Sequence, residues 1–438
     1  MRKAFTLLAV SLLLSVAANA QQSPNWQFVK VFPDTNLSWG SGINNTIAVD
    51  KLGRIWLASY SASVDSIQRA DGTYKKCGVL RIYNPDGSQA SFSPIKTVTT
   101  GGVTDTLGYG YGMAVDPNGN ILLVKPSNMV IRINYKDGTG MNRVVYPIPG
   151  YTGSLASVAV DTLGEVFLQP VLPGAPAIAM SSDFSSVLAT IDTSMQGYAR
   201  TLAVSKDGNY VYLPRFDKKT TYVYYSPNGT FGPYQRIDSI FTGLVNETMG
   251  WDPKTGWLWA GSGNKISGYP DPPYTAYRWY AYSFKTKSIV DSIVWNGDVS
   301  TDPRPRGIAF SPSGDTVYLA AFNISKGFVQ MFKRLSVPNA VKDRQPDQIP
   351  ASYTLSQNYP NPFNPSTNID YTLKSGGKVT LKVYDLLGRE IATLVDGIQS
   401  AGEHTVRFDG TNLPSGIYIY VLSTPDGLKL TKKMALMK

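Results

Sequence analysis

A short pattern returns six times between Trp26 and Leu335, and it constrains the fold more than any other feature. The copies read IAVDKLGRIWLA (47–58), MAVDPNGNILLV (113–124), VAVDTLGEVFLQ (158–169), LAVSKDGNYVYL (202–213), MGWDPKTGWLW (249–259) and GIAFSPSGDTVY (307–318). Each opens on an apolar run ending at Asp50, Asp116, Asp161, Ser205, Asp252 or Ser311. Glycine follows at Gly53, Gly119, Gly164, Gly208, Gly256 or Gly314, and a second apolar run begins at once. A short acid or hydroxyl accepts hydrogen bonds from the amides of the turn ahead of it. Glycine supplies a positive φ that a Cβ would resist. The spacing predicts a β-hairpin at every copy.

One hairpin cannot bury its own apolar face, so the copies must pack on one another. A period of about 45 residues with hairpin content is the signature of four-stranded propeller blades. Six copies predict a six-bladed β-propeller over residues 24–335. The long first interval, from Asp50 to Asp116, leaves room for a degenerate seventh blade. The units IAVDKLGRIWLA, MAVDPNGNILLV and VAVDTLGEVFLQ resemble those of NHL-type and related six-bladed propellers. The resemblance departs at the end of the second strand, where Ser59, Lys125, Gln169 and Pro214 stand in place of the family's usual aspartate. Such folds serve lyases, lactonases and pure binding modules, so function must come from the site.

The two ends differ from this repeat. Arg2 and Lys3 precede an apolar run from Leu7 to Val16, and Ala18-Asn19-Ala20 supplies small residues at a cleavage point. This reads as a signal peptide over 1–20, cut between Ala20 and Gln21. No later apolar run is long enough to span a bilayer. Residues 336–352, with Pro338, Pro346 and Pro350 among polar residues, read as a linker. From Tyr353 to Lys438 alternating runs predict a small antiparallel sandwich, with Val379, Leu381 and Val383 on one face. The motifs NYPNPFNPST (358–367), VYDLLGREIATLV (383–395), AGEHTVRFDG (401–410), LPSGIYIYVL (413–422) and KLTKKMALMK (429–438) occur in order. They resemble the type A C-terminal sorting domain of the type IX secretion system. That resemblance implies an Ig-like fold over 353–438 and the type IX machinery as partner. It also implies export through the periplasm to the outer cell surface or the medium.

Chemistry is narrowed by scarcity. The only cysteine, Cys77, excludes an intramolecular disulfide. The only histidine, His404, lies in the C-terminal part, so a Ser-His-Asp triad, a Cys-His pair and a histidine metal site are unavailable in the repeats. Net charge is +10, but the basic residues are scattered and do not interleave with aromatics, which argues against nucleic acid. Asp50, Asp116, Asp161 and Asp252 resemble a catalytic set, yet each holds the same turn position and is expected to be structural. Trp251, Trp257, Trp259, Trp279, Tyr280 and Tyr282 could form a sugar platform, but strand alternation sends them mainly to blade cores.

The expected ligand site is one mouth of the central channel, where residues before each first strand meet residues after each second strand. Asn44, Asn45, Tyr109, Tyr111, Tyr198, Arg200, Asn246, Glu247, Arg304 and Arg306 form the first set. Tyr60, Lys125, Gln169, Arg215 and Asn323 form the second. The ligand-binding residues assigned are Tyr60, Tyr109, Tyr111, Lys125, Tyr198, Arg200, Arg215, Glu247, Arg304 and Arg306. Guanidinium forks suit carboxylates or phosphates, and tyrosine faces suit sugars. A calcium site at Glu247, Asn45, Asn246 and Asn323 would be opposed by the flanking arginines. No catalytic residue, metal or cofactor is assigned. The expected function is a secreted or surface binding protein for an anionic or carbohydrate ligand or an envelope partner. The alternative is a secreted hydrolase, lactonase or lyase working through carboxylates at the mouth.

Overall fold

The computed structural model describes residues 23–34, 36, 43–61, 63–125, 128–151, 153–192, 198–265, 268–324, 328–337, 352–374, 377–399, 402–424 and 426–438. The expected leader, with Ala20 and Gln21, and most of the expected linker lie outside the described residues, as do the side chains of Asn44 and Asn45. What is described is all-β: every element is a strand except one 3-10 turn at Gly229–Phe231. No helix among these residues is long and apolar enough to cross a membrane.

Each repeat folds as the hairpin its turn chemistry predicts, and the turns of the last three copies are one residue longer than those of the first three. Val49 pairs with Ile55, Val115 with Ile121, Val160 with Val166, Val204 with Val211, Trp251 with Leu258, and Phe310 with Val317. Every hairpin is extended into its own antiparallel sheet. The first sheet holds Ile43–Val49, Ile55–Ser59 and Leu80–Tyr83. The second runs Gly112–Val115, Ile121–Lys125, Met129–Ile133, Gly140–Val145, and the third Leu155–Val160, Val166–Pro170, Ala177–Met180, Val187–Asp192. The fourth runs Ala203–Val204, Tyr210–Arg215, Thr220–Tyr225, Gln235–Ile240, and the fifth Met249–Trp251, Leu258–Gly261, Arg278–Ser283, Ser288–Val294. The sixth, Arg304–Phe310, Thr316–Phe322 and Val329–Arg334, takes its outer strand, Trp26–Val31, from the start of the chain. The long interval from Asp50 to Asp116 contains two small hairpins, Asp65–Gln68 with Tyr74–Cys77 and Thr97–Thr100 with Val103–Thr106.

Six apolar layers join these sheets in cyclic order. Trp56, Leu80 and Ile82 of the first sheet pack with Ile121 and Ile131 of the second. Phe167 of the third packs with Val211 and Leu213 of the fourth. Trp257, Trp259 and Trp279 of the fifth pack with Val317, Leu319 and Trp26 of the sixth. Tyr318 and Val329 of the sixth return to Ile55 and Leu57 of the first. The three tryptophans of the fifth sheet are fully buried, whereas Trp251 is only half-buried. Burying a large side chain of this kind contributes roughly 1.5–3 kcal/mol, so these layers supply the cohesion that disulfides cannot. Cys77 is itself buried and unpaired with any other sulfur.

The six inner strands enclose one cavity of about 400 Å³ along their common axis, lined mainly by Val49, Val115, Val160, Val204, Trp251, Phe310 and their neighbours.

Residues 352–438 form two further sheets: Thr354–Leu355 with Ser366–Leu373 and Gly402–Asp409, and Glu390–Gln399 with Gly377–Tyr384, Gly416–Ser423 and Lys429–Leu436. Val379, Leu381 and Val383 share the buried face, packed with Ile369, Tyr371, Tyr420 and Leu422. The proline-rich segment before them is pinned by polar bonds. Tyr420 donates its hydroxyl to Ser356 O at 2.7 Å and accepts Asn358 N at 2.9 Å. Phe363, buried, exchanges backbone bonds with Ala435 O and Met437 N at 2.9 and 3.0 Å.

Candidate functional site

The two ends of the axis carry different chemistry. At one end lie the six turns. Asp50 Oδ1 accepts the amides of Leu52 and Arg54 at 2.9 Å, and its Oδ2 accepts Arg54 Nε at 2.8 Å and Trp56 Nε1 at 2.9 Å. Asp116 Oδ1 accepts Asn120 N at 2.8 Å, Asp161 Oδ1 accepts Leu163 N and Glu165 N at 2.9 Å, and Asp252 Oδ1 accepts Lys254 N at 2.9 Å. Ser205 and Ser311 fill the same place through Tyr210 N and Thr316 N at 2.8 and 3.1 Å. These carboxylates are spent on turn amides.

The opposite end gathers the residues that precede the first strands and follow the second. Glu247 is fully buried there, and its two carboxylate oxygens are held by two different guanidiniums, Arg304 Nε on Oε1 and Arg306 Nε on Oε2. Burial pulls Arg306 down to about 9 against the attraction of Glu247, and Arg304 and Arg200 push the same way through their own charge. Two arginines therefore hold one carboxylate, and Arg200 adds its positive charge close to Arg306. Arg304 is bound only through Nε; its terminal nitrogens have no protein partner among the described residues.

An aromatic run continues from this cluster. Arg306 lies 5.3 Å over the ring of Phe322, and Phe322 meets Tyr60 edge-on at 4.7 Å. Tyr60 is 6.2 Å from Tyr109, which meets Tyr111 at 4.9 Å. Burial and the neighbouring Tyr109 hydroxyl push the Tyr111 phenol up to about 12. Seven of the ten assigned residues, Tyr60, Tyr109, Tyr111, Arg200, Glu247, Arg304 and Arg306, are thus linked into one patch.

The other three stand apart from it chemically. Lys125 is bonded to Asp105 at 2.9 Å, and Arg143 pairs with the same carboxylate. Burial alone would raise Asp105, but these two cations hold it below the usual range. Arg215 is buried against Asp192, and the two charges cancel. Tyr198 is half exposed on the connection between the third and fourth sheets. Phe322 is a member of the patch that the register of Tyr60 could have revealed, because Phe322 ends the second strand of its hairpin and Tyr60 directly follows that of its own. Among the described residues no group of three His, Cys, Asp or Glu side chains is placed to hold a metal ion.

Residues 357–437 match the family described as secretion system C-terminal sorting domain. A tail of this family implies passage through the type IX secretion machinery to the cell surface or extracellular space. No curated protein matches the chain. Among solved structures it is similar to PorZ, an essential bacterial surface component of the type IX secretion system of Porphyromonas gingivalis. The identity is 13% and the TM-score 0.42, over 91% of this chain and 60% of that one, so the chain spans less than two thirds of PorZ. It is similar to XC5397 of Xanthomonas campestris, a gluconolactonase, at 12% identity and TM-score 0.47, over 73% of this chain and 93% of that one. A chain of the mitotic checkpoint complex is similar at 12% identity and TM-score 0.44, over 77% of this chain and 99% of that one.

Proposed function

We propose that this protein is an exported binding module: a signal peptide (1–20), a six-bladed propeller (24–335), a linker (336–352) and an Ig-like sorting domain (353–438). The propeller would bind an anionic ligand, free or as part of a carbohydrate or envelope component, at the mouth that carries Glu247. The observation that carries this reading is the charge count around Glu247. Two guanidiniums hold one carboxylate, and the terminal nitrogens of Arg304 have no protein partner among the described residues, which leaves them open to an outside anion. A guanidinium fork with two free nitrogens matches the two oxygens of a carboxylate or phosphate. Tyr60, one-third exposed beside it, offers an apolar face and a hydroxyl.

A hydrolase, lactonase or lyase would need an available carboxylate at this mouth. Both oxygens of Glu247 are occupied by arginines, which favours binding over catalysis. The test is a binding screen of acidic and neutral oligosaccharides and small organic anions against the mature protein. An anionic hit should weaken at least tenfold in Arg304→Ala and weaken with added salt. Hits confined to neutral compounds, or unchanged by Arg304→Ala, would remove the mouth from consideration.

A further inference from the structure

The cavity on the axis is built from the same three positions of every repeat. The residue just before each turn Asp or Ser supplies one ring, of four valines, Trp251 and Phe310. The residue before that supplies five alanines and Gly250, and the next supplies Ile47, Ile308, two methionines, a valine and a leucine. The indole of Trp251 carries the only nitrogen or oxygen among these side chains, and it is turned to Val204 O on the next inner strand at 2.8 Å. The middle ring is small all the way round, and the space left is about 400 Å³. Pockets that bury small molecules span about 300–1,000 Å³ and are lined mainly by apolar side chains.

These walls are open to whatever fills the bore. Met113, Ala114 and Val115 are only half-buried although their strand is the innermost of its sheet, and so are Met249 and Trp251. The second strands beside them, Ile121–Lys125 and Leu258–Gly261, are buried throughout. The cavity reaches Asp50, Lys51, Pro253, Ser311 and Pro312, so it opens at the end that carries the turns; Glu247, Arg304 and Arg306 are not among its walls.

The face around this opening is both apolar and cationic. Leu52 and Leu163 are exposed on the first and third turns. Lys51 and Lys206 hold one position in the first and fourth repeats, across the axis from each other. Both are exposed, and among the described residues neither pairs with an acid. Lys51 gives one of its three donors to Pro117 O. The turn aspartates are directed at their own amides, so the charge offered at the opening is positive.

We infer that the bore is a second binding site, which takes the aliphatic chain of a small monoanionic amphiphile, with its tail at the middle ring and its carboxylate at Lys51 and Lys206. Water in the bore can bond to the free edges of the inner strands but not to these side chains, and a chain that displaces it from them gains the usual apolar burial. The lysines add attraction for the head group, which salt weakens. This site lies at the opposite end of the axis from the anion-facing mouth, and it selects for a tail, which Arg304 and Glu247 do not.

Titration calorimetry of the full chain with butanoate, hexanoate and octanoate tests this. Affinity should rise about threefold to fourfold with each added methylene. Octanol should bind about threefold to tenfold more weakly than octanoate, and octylammonium more weakly still. Lys51→Glu combined with Lys206→Glu changes only exposed side chains and should remove the advantage of the carboxylate. Octanoate carrying a terminal bromine should quench Trp251 fluorescence, and Trp251→Phe should lose that quenching while octanoate still binds. Arg304→Ala should leave octanoate affinity unchanged, which separates this site from the mouth. Affinity independent of chain length, equal binding of octanoate and octylammonium, or quenching that survives Trp251→Phe would overturn the site. Cosedimentation with phosphatidylglycerol vesicles, without octanoate binding, would overturn it as well, because the exposed leucines and lysines would then belong to a membrane-facing surface.

Discussion

Trp26 donates its indole N–H to Asp291 at 3.0 Å, joining the first strand of the chain to the third inter-strand pair of the fifth sheet. Its ring sits edge-on to Trp259 at 5.9 Å and beneath the Arg334 guanidinium at 4.1 Å, and Arg334 in turn reaches Asp252. One side chain therefore ties the outer strand of the sixth sheet to its neighbour and to a turn acid. Trp26→Ala should destabilise the repeat region by about 3–5 kcal/mol, the range for a buried aromatic replaced by alanine. Trp26→Phe, which keeps the volume and loses the bond to Asp291, should cost about 1–3 kcal/mol. Urea unfolding read by near-UV circular dichroism would measure both, and a Trp26→Phe variant as stable as the wild type would mean the hydrogen bond to Asp291 contributes nothing beyond packing.

The turn acids can be tested as structural groups. Asp50 satisfies two amides, the Arg54 guanidinium and the Trp56 indole. Asp50→Ala strands the buried Arg54 charge and should cost about 3–5 kcal/mol. Leu52, exposed two residues on, makes no comparable bond, and Leu52→Ser should stay within about 0.5 kcal/mol. A catalytic role for the aspartate would instead leave folding intact.

The hairpins were legible because each depends on a local device, an Asp or Ser followed three or four residues later by a glycine, that every copy carries. Ring closure was not. Nothing in Trp26–Val31 marks a turn, and its partner, Val329–Arg334, is about three hundred residues away. The same distinction divides the candidate site. Tyr60, Tyr109, Tyr111, Glu247, Arg304 and Arg306 each stand at a set distance from the Asp or Ser of a turn, so shared register brought them to one end. Lys125 and Arg215 have that register too, but their charges are cancelled by Asp105 on an inserted hairpin and Asp192 on an outer strand. Neither acid belongs to the repeat, so its partner could not be found by aligning copies.

Two glycines at equivalent turn positions should respond unequally to alanine. Gly53 and Gly208 have φ of +79° and +73°, so both variants pay about 1 kcal/mol for a left-handed backbone. A Cβ at Gly53 meets only Pro85 at 3.4 Å, whereas at Gly208 it would lie 2.5 Å from Thr230 Oγ1 and 2.9 Å from Asp161 Oδ2. Gly208→Ala must therefore displace the Thr230–Asp161 bond and should cost about 1–3 kcal/mol more than Gly53→Ala. Thermal denaturation of the two single variants decides it, and equal melting temperatures would contradict the crowding at Gly208.

The sorting domain offers a variant whose effect should be confined to export. Tyr420 bridges Ser356 O and Asn358 N beneath the proline-rich motif, and Asn358 is buried and donates Nδ2 to Thr367 Oγ1 at 3.0 Å. Tyr420→Phe preserves the ring but leaves the Asn358 amide and the Ser356 carbonyl without partners, at about 1–3 kcal/mol. The motif that the family shares would then be less firmly held against Gly416–Ser423 and the last strand. The repeats make no use of this bond, so their own unfolding transition should not move. Quantifying the protein in periplasmic and surface fractions of the native host should show accumulation before the outer membrane in Tyr420→Phe. Normal surface levels, with the sorting domain measurably destabilised, would show that the machinery tolerates a loosened motif.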